Sequence, residues 1–534
     1  MDQEVNILDI SPLTSSVNKV GHDQKLDYAP SEEAKALKIL LLEPLFPAEA
    51  AWGSAKTEQG YLLPIGTISV YSWLKARGYT VDFLDTQFGD VTEESLVAKL
   101  EEEQYSIVAL PVFTPTADYA FSSAKIVRRV LPNAKIVFGN IHASTLPEFT
   151  MEQCPEVDFI IRHEAEHTFD ELLNALAEGD DDFSEILGLV YRGEDDAVKV
   201  NPNRLFLGEL DDIPVGFNSD LDISRYVPHP TQYVKLPTFS IMTQRGCPFS
   251  CSYCEAAQIL GKKSRFFSPE RIIEELKILK YEHGAKGVYF QDSTFTINKK
   301  HTMKLMELMV KENLDLKWAA GTRMDRVDPE LLEAMYTAGC RLLSTGIESG
   351  NEESLKVVQK GCTVEQQEAG VKMVRDAGMR ILCNFILCLP GEDEAMVRNT
   401  IKFAKKLRPH MALFYLPVPY PGSALYKSCK EMGGLRRAAS WSDFIAIDFD
   451  DPVYVNPNFD KESMKYWYKR AYIEMYTSPG MWYTNLSSIR SMEDVNRLYR
   501  GGKGLTSMIS HGIFGFIRQQ YRGFHGQAAP IRDS

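Results

Sequence analysis

Three cysteines in the segment RGCPFSCSYCEA, Cys247, Cys251 and Cys254, stand at spacings of four and three residues, directly after the strand-like run PTFSIMTQ. Three thiolates so spaced can hold three irons of a cubane [4Fe-4S] cluster and leave the fourth iron without a protein ligand. That open iron is a place where a small molecule can bind and react. A zinc site would require a fourth Cys or His at suitable spacing. The next histidine downstream is His283, beyond a run that reads as helix. The plainer alternative, three cysteines packed as small hydrophobes, leaves the regular spacing unexplained. Cys340, Cys362, Cys383, Cys388 and Cys429 show no ligand spacing and read as buried small side chains.

The elements that must position this loop repeat. From Leu236 onward the strand-like runs PTFSIMTQ, KGVYFQD, LKWAAGTRM, RLLSTGIE, MRILCNFILCLP and MALFYLPVP are each followed by a helical pattern such as SPERIIEELKILKYEH. Six such units predict a partial (β/α)6 barrel over residues 236–440, with its chemistry at the C-terminal ends of the strands. Residues 441–534 break the rhythm and read as a helical C-terminal region ending in a Gly-rich tail.

An earlier series, KILLLEP, YTVDFLD, SIVALPV, AKIVFGN and VDFII, alternates with amphipathic stretches. Parallel neighbours require crossover connections, so residues 37–180 read as a doubly wound parallel-sheet domain that binds its ligand at the carboxyl ends of the strands. Residues 1–36 read as a flexible arm. Residues 181–235, rich in Asp, Asn and Pro, read as a linker. The fold class is α/β throughout.

The chain has 534 residues and a net charge of −14, but the charge is unevenly spread. Residues 1–235 carry 18 Lys and Arg against 40 Asp and Glu, while residues 236–534 carry 41 against 33. Nine cysteines, an odd and sparse set, argue against a disulfide framework and for a reducing, cytoplasmic setting. The N-terminus lacks the pattern of a signal peptide, and no apolar run approaches the roughly 18 residues needed to span a bilayer. An acidic chain without a broad basic face lacks the footprint of a nucleic-acid binder. Between Asp494 and Asp533 there is no acidic residue, while Arg497, Arg500, Lys503, Arg518, Arg522 and Arg532 are interleaved with apolar side chains. Such a tail suits packing on the barrel, or peripheral contact with an anionic membrane surface.

CPFSCSYC resembles the CxxxCxxC signature of radical S-adenosylmethionine enzymes, whose fold is a six-unit partial barrel, and the resemblance covers residues 236 to about 430. In that family the open iron chelates S-adenosylmethionine, and an electron from the cluster cleaves it to methionine and a 5'-deoxyadenosyl radical. The resemblance implies cosubstrate contacts from Tyr253 before the last cysteine, Asp292 in QDSTF, Arg323 in GTRMD, and Glu348 and Ser349 in STGIESG. The bland readings are helix capping for Asp292 and Glu348 and a structural ion pair for Arg323. CLPGEDE resembles a GLPGE element, with Cys388 in place of its first glycine.

The N-terminal domain lacks GxGxxG and looks instead like the cobalamin-binding domain that precedes many of these barrels. The matching places are VFTPT with Thr114, VFGNIHAS with Gly139 and His142, and IIRHEAEHTF with Glu164. The last two depart from GGxH and GEGE: Asn140 replaces a glycine, and Arg162-His163-Glu164-Ala165-Glu166 stands in place of Gly-Glu-Gly-Glu. No DxHxxG follows Glu43, so the usual lower histidine ligand to cobalt is missing. His142 reads more readily as a packing or hydrogen-bonding group than as a ligand.

The resemblance implies a [4Fe-4S] cluster, S-adenosylmethionine and cobalamin as cofactors, and an external one-electron reductant such as flavodoxin or ferredoxin. The activity expected is C-methylation of a lipophilic small molecule: a tetrapyrrole or bacteriochlorophyll precursor, a hopanoid-like lipid or a natural product. Related outcomes are oxidative cyclisation of the anaerobic magnesium-protoporphyrin monomethyl ester type, which RAYIEMYTSPG also resembles, and a non-enzymatic cobalamin sensor. A methylthiotransferase would carry three cysteines in its N-terminal domain, where this chain has only Cys154.

Overall fold

β1 (Lys38–Leu42), β2 (Thr80–Leu84), β3 (Ile107–Pro111), β4 (Lys135–Gly139) and β5 (Phe159–Ile161) pair in parallel in the order β2-β1-β3-β4-β5. Alternate side chains enter different cores. Leu40 and Leu42 pack on one face with Leu110 and Phe138, and Ile39 and Leu41 on the other with Val137 and Ile161. Burial on both faces is why these strands read as continuous apolar runs. The strand order reverses between β1 and β3, and the crevice at that switch point opens at the carboxyl ends.

The computed structural model describes residues 28–45, 60–217, 221–436, 440–445 and 452–489, with isolated positions beside them. Of the arm expected over residues 1–36, the described end forms a short helix, Glu32–Ala36, capped by Ser31 and packed on the helix Glu166–Glu178. The segment 181–235, expected to be a linker, adds β6 (Leu189–Arg192) and β7 (Val198–Val200) antiparallel to the edge of the first sheet. The basic tail beyond Arg500 lies outside the described residues. Among the described residues no helix is long and apolar enough to cross a membrane.

The second sheet follows the predicted units. β8 (Thr238–Ile241), β11 (Gly287–Phe290), β12 (Lys317–Gly321), β13 (Cys340–Glu348), β14 (Arg380–Ile386) and β15 (Met411–Tyr415) run parallel in chain order, and β15 does not close onto β8. A small antiparallel pair, β9 (Gln244–Arg245) and β10 (Arg265–Phe266), brackets the cysteine loop. Six helices of the barrel start on side-chain caps: Ser268, Asn298, Asp328, Thr363, Asp393 and Ser423 each accept a backbone N–H from the first turn. Helix starts are thereby fixed a short distance past the strand ends, where the site must be.

Two C-terminal features complete the fold. The helix Lys461–Tyr476 lies on the free edge of β15. Phe414 N–H donates to the Tyr472 hydroxyl at 3.1 Å, which donates back to the Phe414 carbonyl, and Tyr476 makes the same exchange with Ala412. Two tyrosines one helical turn apart thus substitute for a missing neighbour strand at an edge that would otherwise stay unpaired. The segment at Trp441 instead returns to the first domain. Trp441, Phe444 and Val453 enter the core formed by β1, β3 and β4, and Asp118 accepts bonds from the Ser440 hydroxyl and the Trp441 N–H.

Candidate active site

The loop that carries Cys247, Cys251 and Cys254 is held by backbone bonds on every side. Cys247 N–H donates to the Gly261 carbonyl at 2.9 Å, Ser252 N–H to Val358, Cys254 N–H to Cys251, and Leu425 N–H to Ser252. Cys247 and Cys251 are half-buried and Cys254 is exposed, all as free thiols. Among the described residues no three His, Cys, Asp or Glu groups are gathered to hold a single metal ion; a cubane takes each thiolate on a separate iron, and the three-thiol loop supplies that donor set. Burial raises the Cys247 thiol above its ordinary range, so iron must displace the proton as it binds.

Basic groups flank the thiols. Arg323, at the end of β12, chelates Asp325 through Nε and Nη2 (2.8 and 3.2 Å), points Nη1 at Cys251 Sγ (3.9 Å), and lies 3.8 Å over the Phe249 ring. It is therefore both the structural ion pair and a cationic neighbour of the cluster loop. Lys360, which the sequence reading missed, donates to Glu348 Oε1 at 2.8 Å and approaches the Tyr253 hydroxyl at 3.2 Å; Tyr253 donates to the same Glu348 oxygen at 2.6 Å. Burial opposes the Lys360 charge, yet Glu348 outweighs it and the ammonium is held above its usual range. Burial and then Glu348 raise the Tyr253 phenol. A Cβ on Gly346 would stand 2.0 Å from Glu348 Oε1, so only glycine leaves room for this pair. Glu348 itself adopts φ 64°, a left-handed conformation costly for such a side chain.

Two other expected cosubstrate residues are committed elsewhere. The Asp292 carboxylate accepts from Thr243 N–H (2.7 Å), the Thr243 hydroxyl (2.6 Å) and Gln244 N–H (3.2 Å), fixing the strand that leads into the loop. Ser349 is fully buried and bonds Glu392 and Thr400 at 3.0 Å. Neither bonds a thiol directly; Asp292 anchors the strand that leads into the cysteine loop, and Ser349 anchors the turn that carries Glu348.

Inside the barrel, Ala319, Leu342 and Leu382 form a small apolar cluster with Val234, Tyr289 and Met411. Ser344, Asn384 and Tyr415 stand at strand positions nearer the C-terminal ends. Asn384 donates to Ser344 Oγ at 3.2 Å, and the Tyr415 hydroxyl reaches Asn384 Oδ1 at 3.5 Å. Burial and Glu348 push the Tyr415 phenol up to about 12. The alternation along β13, β14 and β15 could have identified these groups.

The first domain meets the loop at two of its ligand-end turns. Glu164, expected to contact cobalamin, joins the domains: it accepts from Arg245 Nη1 (3.1 Å), Arg265 Nη1 (2.8 Å) and Leu207 N–H (2.8 Å). Glu166 accepts from Arg245 Nη2 at 2.6 Å and from the Ser69 hydroxyl at 2.8 Å. Burial would raise the Glu166 carboxyl, but Arg245 holds it down at about 2. Beside this network, the helix Asn140–Thr145 packs on the helix Ala256–Leu260 that follows Cys254. Thr114 and His142 meet, Oγ1 to Nδ1 at 3.3 Å, at the ends of β3 and β4. Trp441 covers His142 with ring centroids 4.5 Å apart, while His142 Nε2 is buried without a partner among the described residues. A Cβ on Gly139 would meet only the Ile161 carbonyl, at 3.7 Å, so the turn leaves open space there. An open turn and an orphaned imidazole nitrogen at the carboxyl ends of a switch-point sheet suit a large planar cofactor.

Three of the departures from the glycine-rich patterns share one geometry, whereas Ala165 takes an ordinary φ of −96°. Asn140 (φ 73°), His163 (φ 65°) and Cys388 (φ 60°) all keep the left-handed backbone for which glycine is the default.

Comparison with known proteins agrees with this arrangement. The family description "Radical SAM superfamily" matches residues 241–404, and "B12 binding domain" matches residues 55–173. The chain is 34% identical over 445 residues to the uncharacterized methyltransferase PH0819 of Pyrococcus horikoshii, covering 83% of this chain and 94% of that protein. It is 28% identical over 435 residues to the anaerobic magnesium-protoporphyrin IX monomethyl ester cyclase of Rubrivivax gelatinosus, covering 80% of this chain and 74% of the cyclase. The solved structure of the radical S-adenosylmethionine methyltransferase TsrM from Kitasatospora setae, with cobalamin and a [4Fe-4S] cluster bound, shares the fold: TM-score 0.66 at 18% identity, over 89% of this chain and 100% of that one.

Proposed function

Because the chain belongs to the cobalamin-dependent radical S-adenosylmethionine enzymes, we propose that it methylates a carbon atom of a lipophilic small molecule, with a tetrapyrrole as the first class to test. Cluster, S-adenosylmethionine and cobalamin together supply a carbon-centred radical and a methyl group. Cys247, Cys251 and Cys254 would hold the cluster, and Tyr253, Glu348 and Lys360 would line the cosubstrate. The turns at Gly139 and Thr114 would face cobalamin.

The observation that carries the reading is the buried bond set from Arg245 to Glu164 and Glu166. Arg245 is two residues from Cys247, and the carboxylates lie on a ligand-end turn of the first sheet, so a cluster at the thiols and a cobalamin at the sheet's carboxyl ends would lie side by side. Methyl transfer requires that adjacency. A lipophilic substrate is supported by the apolar lumen around Leu342 and Leu382, where Ser344, Asn384 and Tyr415 supply a few polar contacts. The protein's chemistry requires free thiols, which all nine cysteines are, so a reducing cytoplasm is part of the proposal.

The test is anaerobic reconstitution followed by product analysis. Methylation yields S-adenosylhomocysteine together with 5'-deoxyadenosine. Deoxyadenosine alone, with a cyclised product, would replace methylation with the cyclase reading. Deoxyadenosine formation that survived Cys247→Ala would sink both.

A further inference from the structure

Pro248 and Ser250, the outer edge of the loop between Cys247 and Cys251, are exposed. Directly beside them lies an open depression lined by Pro248, Phe266 and Ile297 and rimmed by Lys262, Lys263 and Lys299. Lys262, Lys263 and the neighbouring Lys300 are exposed and have no acidic partner among the described residues, whereas Lys299 pairs with Asp328 and Glu330. The lysine turn touches the cluster loop through the backbone. A Cβ on Gly246 would stand 2.3 Å from the Lys263 carbonyl, and Gly246 takes φ 96° to allow that approach. The next residue, Cys247, donates its N–H to Gly261 of the same turn. A short covalent and hydrogen-bonded path therefore joins the lysine surface to a cluster ligand.

We propose that this surface is the docking port for a small acidic one-electron carrier protein of the flavodoxin or ferredoxin class. The inference rests on the iron–sulfur reading of the cysteine loop. At each encounter the carrier loses one electron and the cluster gains it, and no bond is made or broken. The charge distribution gives the port its purpose. A chain of net charge −14 repels an acidic carrier as a whole, so productive encounter needs a local patch of opposite sign at the point of electron entry. Apolar Pro248, Phe266 and Ile297 at the centre, with lysines at the rim, have the layout of a transient interface.

The experiment uses the reconstituted enzyme and compares two reductants in stopped flow: reduced flavodoxin, and a photoreduced neutral deazaflavin that needs no docking. The double variant Lys262→Glu/Lys263→Glu is expected to slow reduction by flavodoxin about tenfold or more, a loss typical of steering charges, and to leave deazaflavin reduction unchanged. In the wild type the flavodoxin rate should fall as salt rises. Zero-length carbodiimide cross-linking should map carrier carboxylates to Lys262 or Lys263. A rate that rises with salt, cross-links confined to another face, or indifference to the double reversal would each overturn the port. Failure of deazaflavin to reduce any iron chromophore would overturn the cluster reading beneath it.

Discussion

Arg245 Nη2 and Glu166 Oε1 are 2.6 Å apart in an ion pair that is almost wholly withdrawn from solvent, and they belong to different domains. Such a pair holds only while both members are present, because removing one leaves the other charge buried alone. Arg245→Met is expected to cost about 3–5 kcal/mol. It should also split thermal unfolding, followed by calorimetry, into two less coupled transitions. The paired replacement Arg245→Met with Glu166→Gln should recover part of that loss, since it strands one fewer charge. A single unchanged transition in Arg245→Met would show that the network does not couple the domains.

Among the described residues Lys360 is the one cation bonded to Glu348, and Glu348 is 4% exposed. Lys360→Met therefore leaves a buried carboxylate beside the Tyr253 phenol. Cleavage of S-adenosylmethionine to deoxyadenosine should fall about tenfold or more, equivalent to about 1.4 kcal/mol or more, with iron content unchanged. Lys360→Arg should restore part of the rate. Equal loss of iron and activity would assign Lys360 to cluster assembly instead.

Trp441 is fully buried and stacks edge-on against His142. Trp441→Ala removes a large ring from the core of the first domain and should cost about 3–5 kcal/mol, measured by denaturant unfolding of the cobalamin-free protein. Asp118→Ala removes the acceptor that receives Ser440 and Trp441 and should loosen the same contact at smaller cost. If neither variant moved the transition, the returning segment would be dispensable for the first domain.

Burial pushes the His142 imidazole down to about 3, and those of His163 and His410 to about 4. The unfolded chain takes up these protons near pH 6.5 while the folded one does not, so stability is intact above that value and declines as pH falls toward 4. Each histidine contributes at most about 1.4 kcal/mol per pH unit across its window. His142→Gln should flatten the acid limb of a plot of midpoint against pH. A limb unchanged in that variant would mean the acid sensitivity arises elsewhere.

The strands, their parallel order and the cysteine loop were legible because each has a local signature: a short apolar run, a crossover helix with a capping residue, a fixed cysteine spacing. What was illegible depends on distant closure. Lys360 sits in the polar run VVQKGCT and acquires meaning only when the chain brings it to Glu348. The β6–β7 pair was hidden by the acidic, Pro-rich composition around it, although LVYRGEDDAVKV is two β-like runs about a turn and could have been read as a hairpin. Glu164 was placed correctly at a ligand-end turn, but its partners Arg245 and Arg265 lie in the other domain. A motif lists residues without saying which side of a boundary they face.

The return of the chain at Trp441 also orders events during synthesis. The first domain emerges early, and domains generally fold in that order as the ribosome releases them. Its core between β1, β3 and β4 nevertheless lacks Trp441, Phe444 and Val453 until roughly 300 further residues, including the whole barrel, have been made. Throughout that interval the crevice at Thr114 and His142 is uncovered. The nascent first domain therefore has a period in which His142 lacks the ring that later packs on it.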